Sequence, residues 1–139
     1  MAPRSPPPLN MKFEHLALNV PEVTAMGRWY EQHLGLTVLR RREDAPYTQF
    51  LGDETGRVFL EIYSNPAAPC LDFAATHPLV LHVAFYVTDA EAERKRLVAA
   101  GAKPFSEETA PDGTRLMFLR DPWGVALQLC QRAKPFPGF

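Results

Sequence analysis

Four polar residues occupy matching places in two similar stretches of this chain, and their donor atoms suit a divalent metal. They are His15, Glu61, His82 and Gln128. His15 and Glu61 lie 46 positions apart, and so do His82 and Gln128. Two imidazoles, one carboxylate and one amide oxygen are suitable ligands for Zn, Ni, Co, Mn or Fe(II), with positions left for water or substrate. An ion held this way acts as a Lewis acid on a carbonyl, an enediolate or a diol. Each residue alone has a plainer role. A lone histidine on a strand is more often a hydrogen-bonded core residue, and Glu61 could pair with either histidine in a metal-free polar cluster. Gln128 divides evenly between ligand and hydrogen-bonding wall. The combination, not any member, points to a metal or ligand site.

The elements that must position these residues recur in order. Lys12–Val20 (KFEHLALNV) and Leu79–Val87 (LVLHVAFYV) alternate as strands. A helix follows each. The first is expected from about Val23 to Leu34, stopping at Gly35. The second is expected from Thr88 or Asp89, with Thr88 and Glu91 spaced as a capping box, stopping at Gly101. Strand-like runs follow at 37–42, 48–51 and 58–63 in the first half, and at 103–107, 115–119 and 125–130 in the second. The turns before the last strands also match. Phe50-Leu51-Gly52-Asp53-Glu54-Thr55-Gly56 shares its Phe-Leu, Asp and Gly with Phe118-Leu119-Arg120-Asp121-Pro122-Trp123-Gly124. Strands, helix ends and turns recurring in register identify an internal repeat, two βαβββ modules in an α+β fold.

Alternation assigns faces. Leu16, Leu18 and Val20, then Val58, Leu60 and Ile62, and in the second half Leu81, Val83, Phe85 and Val87, then Val125, Leu127 and Leu129 make an apolar face for the helices. The opposite face carries the four polar groups among small and aromatic residues. Isolated polar groups there need each other, water or a ligand. A curved mixed sheet with the helices outside would gather them into a pocket walled by Phe13, Phe59, Tyr63 and Tyr86. Trp123 either closes the mouth or packs on its turn. Arg40-Arg41-Arg42 is expected to be a solvated strand end.

With 139 residues, one domain spanning 11–133 is expected, with module one at about 11–65 and module two at about 79–133. Met1–Asn10 reads as a disordered leader and 134–139 as a tail whose two phenylalanines fold back or dock on a partner. A net charge of -1 with interspersed signs gives no field for nucleic acid or an anionic membrane. No apolar run nears the roughly 20 residues that span a bilayer. Cys70 and Cys130 make no disulfide framework, so a reducing cytoplasm is the expectation.

At FEHLALNV, WYEQHLGLTV, FLEIY, LHVAFYV and FLRDPWGVALQL the chain resembles the vicinal-oxygen-chelate superfamily, which includes glyoxalase I, bleomycin-resistance proteins and extradiol dioxygenases. The resemblance implies paired βαβββ modules and metal ligands at His15, Glu61, His82 and Gln128. Glutamine at the last position is a departure, since glutamate is usual there and often serves as the base. Glu61 would then be both ligand and catalytic carboxylate. The resemblance implies a metal-dependent lyase or isomerase acting on a small oxygen-rich substrate. Its alternatives are an Fe(II) extradiol-type dioxygenase and a metal-free small-molecule binding or resistance protein. It also implies a homodimer.

Overall fold

The computed structural model describes residues 1–139 and divides into two compact units, Met1–Ala67 and Ala68–Phe139. Each is a four-stranded mixed sheet with one α-helix.

In the first unit the order is β1 (Leu16–Asn19), α1 (Val23–Leu34), β2 (Thr37–Arg41), β3 (Gln49–Gly52) and β4 (Val58–Tyr63). The strands lie as β1-β4-β3-β2, with β1 parallel to β4 and the other pairs antiparallel. The second unit opens with a 3₁₀ turn at Phe73–Ala75. It continues with β5 (Val83–Tyr86), α2 (Ala90–Ala99), β6 (Lys103–Thr109), β7 (Arg115–Arg120) and β8 (Ala126–Gln131). Its sheet, β5-β8-β7-β6, has the same pattern of one parallel and two antiparallel pairs.

One face of each sheet is covered by its own helix. Leu18, Leu51, Leu60 and Ile62 are buried, as are Met26 and Tyr30 of α1, which packs on β3 and β4, and Met117, Leu119, Leu127 and Leu129 are buried with Leu97 of α2. Burying each such side chain contributes about 1.5–3 kcal/mol. The helix ends follow local chemistry. Gly35 terminates α1 at φ 68°, which glycine adopts freely. At α2 the cap is Asp89, whose side chain accepts from Ala92 N at 3.1 Å. The capping box expected from Thr88 and Glu91 does not form. Glu91 instead holds Arg94 through both carboxylate oxygens, at 2.8 and 2.9 Å. That guanidinium keeps the Glu91 carboxyl below its ordinary range.

The first strand of each unit is shorter than the alternation suggested, and both are cut at the same end. With Leu16 opposite Leu60, residues 12 and 13 fall level with the turn before β4, where no ladder partner exists. The Arg57 guanidinium donates to Phe13 O at 2.9 Å instead. With Val83 opposite Leu127, residues 79–81 fall level with the turn before β8, and the chain there makes a turn closed by Val80 N to His77 O at 2.8 Å. His15 and His82 stand immediately ahead of their strands, not within them.

The matched turns do what their residues predict. Gly56 N donates to Asp53 O and Gly124 N to Asp121 O, the Asp53 carboxylate accepts from Thr55 N and the Asp121 carboxylate from Trp123 N and Val125 N, and the glycines sit at φ 78° and 92°.

Candidate half-sites in each unit

On β4, Glu61 lies opposite Ala17 of β1 and Phe50 of β3. The small Ala17 side chain leaves the carboxylate room. Nε2 of His15 is 4.0 Å from Glu61 Oε2, too long for a hydrogen bond. The other ring nitrogen, Nδ1, is 2.9 Å from the Glu14 carboxylate. The Phe50 ring meets the imidazole edge-on at 5.6 Å between centroids. His15 and Glu61 are both partly shielded, with side chains 29% and 17% exposed.

The second unit repeats the arrangement with different donors. Gln128 lies opposite Ala84 and Phe118, and Phe118 meets His82 edge-on at 5.0 Å. His82 Nδ1 is 2.8 Å from Pro78 O. A carbonyl can only accept, so Nδ1 carries a proton, and in the neutral ring Nε2 then keeps its lone pair. Gln128 Oε1 accepts from the Cys130 thiol at 3.3 Å. Burial pushes that thiol up despite the nearby Arg132 guanidinium, so Cys130 is a neutral donor here and not a nucleophile.

The remaining wall residues divide. Phe59 and Tyr63 flank Glu61 on β4 and are half-buried. Phe13 stands at the frayed end of β1 and is 66% exposed. Trp123 belongs to the Asp121 turn, its backbone N–H bonded to the Asp121 carboxylate at 2.9 Å. Tyr86 stays exposed on one side and meets the tail, which folds back, on the other. Phe139 packs against it at 5.4 Å and Phe136 lies under Arg132. A recess of about 120 Å³ results, lined by Ala84, Tyr86, Cys130, Arg132, Phe136 and Phe139 among others.

Two contributors escaped the sequence reading. Phe50 and Phe118 were legible as the repeated Phe-Leu ahead of each turn, but only the pairing register shows that each ring supports a histidine. The oxygens that orient the imidazoles come from Glu14 and from a backbone carbonyl.

The donor set fits a divalent ion in kind. A metal-binding histidine commonly ties its second nitrogen to a carboxylate or carbonyl, and both imidazoles here do so. Neither unit by itself places three His, Cys, Asp or Glu side chains where they could hold a metal ion. Each supplies one imidazole and one oxygen donor.

Comparison with known proteins adds the family. The model of the Glyoxalase/Bleomycin resistance protein/Dioxygenase superfamily matches residues 12–129. Among solved structures, SMU.1112c is 27% identical with a TM-score of 0.66, over 86% of this chain and 98% of that one. A variant of glyoxalase I from Zea mays is 25% identical with a TM-score of 0.67 over 88% of this chain, which spans 46% of the maize protein's length. TnmS3, an antibiotic binding protein from Streptomyces sp. CB03234, is 16% identical with a TM-score of 0.68, over 89% and 98% of the two chains, and shares the fold. No curated protein matches the chain. No helix is long and apolar enough to cross a membrane. With two βαβββ units and a family match over nearly all of its ordered elements, the chain belongs to the glyoxalase, bleomycin-resistance and dioxygenase superfamily.

Proposed function

We propose that this protein is a metal-dependent enzyme of lyase or isomerase type acting on a small oxygen-rich substrate. His15, Glu61, His82 and Gln128 are its metal donors, drawn from the units of one chain or of two. The observation carrying this reading is the state of the imidazoles. Each has Nδ1 held by an oxygen acceptor, and in the first unit Nε2 faces a carboxylate it does not hydrogen-bond. In the neutral ring Nε2 then offers the Glu61 carboxylate only a lone pair, and a divalent cation would satisfy both groups.

A divalent ion of the Zn, Ni, Co, Mn or Fe(II) class would polarise a substrate oxygen as a Lewis acid. The chain's own residues do the rest. Glu61 is the only carboxylate of the four, so it takes and returns the substrate proton. Gln128 offers an amide oxygen and an N–H donor but cannot move a proton. Phe50 and Phe118 brace the two imidazoles edge-on.

Metal analysis tests this. Protein purified without added metal should carry near-stoichiometric divalent ion, lost in His15→Ala and in His82→Ala. A metal-free protein whose melting temperature ignores all five ions would overturn the reading and leave a small-molecule binding protein.

We also assign a homodimer. The face opposite each helix leaves Ala17 and Ala84 exposed, while Leu16, Leu39 and Phe105 are 45%, 45% and 46% exposed. Apolar residues exposed singly are ordinary on a protein surface, so this assignment rests on the family resemblance. Light scattering should give about twice 15.6 kDa, and a mass at 15.6 kDa would refute it.

A further inference from the structure

His82 receives its orientation from a segment that has little regular structure, the stretch from Asp72 to Leu81. Such a segment holds a side chain only if something holds the segment. In this protein that role falls to Arg120 on β7. Its Nη1 donates to Phe73 O at 2.8 Å, Thr76 O at 3.0 Å and Gly124 O at 3.1 Å. Two protons thus serve three carbonyls, two of them in the segment itself. The same guanidinium lies over the Phe105 ring at 5.3 Å, and His77 packs against that ring edge-on at 5.5 Å.

Between these grips the backbone is tightly wound. Asp72 accepts from Ala75 N and, through its carbonyl, from the Thr76 hydroxyl at 2.8 Å. His77 Nδ1 accepts from Leu79 N, and His77 O from Val80 N. Phe73 and Pro78 are buried. The carbonyl of Pro78, fixed this way, is the one that takes the His82 Nδ1–H.

We infer that Arg120 is a positioning residue for His82: by clamping the 72–80 segment it fixes Pro78 O, which selects the His82 tautomer with Nε2 free. The significance for metal binding rests on the function proposed above, but the tautomer itself does not. Arg120 touches no donor atom of the half-site, and its effect passes through the segment's carbonyls and the Phe105–His77 stack. The first unit provides an internal control, because His15 is oriented by its own neighbour Glu14.

The test is ¹⁵N NMR of the imidazoles in the full chain at pH about 8.5, where an ordinary imidazole is neutral. Wild type should show His82 as the Nδ1–H form. Arg120→Met keeps the aliphatic stem and removes the clamp. In it the His82 nitrogens should move toward a mixture of tautomers while those of His15 stay in place. Zn²⁺ affinity, measured on the same samples, should fall about 10–100-fold, the usual cost of losing an orienting partner. Arg120→Gln, which keeps a polar group at this half-buried position, is read by the same criterion if the Met variant does not fold. A folded variant in which His82 remains purely Nδ1–H overturns the inference. Wild-type protein that binds no Zn²⁺ would sink the metal reading, while the tautomer shift would still decide the role of Arg120.

Discussion

Glu61→Gln should abolish proton transfer in a protein that stays folded and still takes up metal. The substitution is isosteric, and the Glu61 carboxylate has His15 as its ionic neighbour at a distance too long for a hydrogen bond. No internal bond is therefore broken by exchanging one oxygen for an amide nitrogen. Ala17 and Phe50, the cross-strand neighbours, meet a side chain of unchanged shape. The amide oxygen keeps a donor in place, and the second unit already uses glutamine at the corresponding register position. The variant would thus have two chemically alike half-sites, each one histidine and one glutamine. What disappears is the only carboxylate among the four. A positioned general base is worth about 10²–10⁴ in rate, or about 3–5 kcal/mol of barrier. A readout independent of the natural substrate is exchange of the proton α to the carbonyl in a panel of small α-hydroxyketones, followed in D₂O with metal-loaded protein. Loss of exchange by two orders of magnitude or more, with metal still bound, is the expected result. Wild-type exchange rates in Glu61→Gln would remove Glu61 as the base.

The same register shows what the sequence could and could not disclose. Equal spacings of 46 revealed the repeat, yet the equality arises from two offsets that cancel. Phe50 to Glu61 is 11 positions and Phe118 to Gln128 is 10, while His15 to Phe50 is 35 and His82 to Phe118 is 36. The extra residue in the first hairpin is absorbed by a shift between Leu51 and Gly52, where Leu51 faces Leu60 and Gly52 faces Val58. A count along the chain cannot detect a bulge. Helix ends were legible because glycine and aspartate have local chemistry, although at α2 that chemistry chose Asp89 over Thr88. Strand starts were not legible, since hydrophobic alternation persists beyond the point where the partner strand turns away. The orientation of His82 was also beyond reach. It depends on Pro78 O, a group every residue carries, and on a clamp from an arginine 38 positions downstream of it.

Gly124→Ala should be among the most destabilising single-methyl additions available in this chain, and its counterpart in the repeat supplies the control. Both Gly56 and Gly124 close an aspartate turn with positive φ, 78° and 92°. An L-residue forced into the left-handed region costs roughly 1–2 kcal/mol, and both variants bear that cost. Their surroundings differ. A Cβ on Gly56 would meet nothing within 4 Å, whereas one on Gly124 would lie 2.6 Å from Ala74 N and 2.8 Å from its Cα. Those are backbone atoms of the 3₁₀ turn, and they cannot rotate aside as the end of a side chain can. The turn is itself tied to β7 by Arg120, which also holds Gly124 O. Overpacking of this kind adds about 1–3 kcal/mol. Gly124→Ala is therefore expected to lose about 2–5 kcal/mol in urea denaturation, and Gly56→Ala only about 1–2 kcal/mol. Equal losses in the two variants would show that the Ala74 contact gives way easily. A large loss confined to Gly124→Ala would show that the segment carrying Pro78 is seated directly against the Asp121 turn, leaving room at that position for no side chain at all.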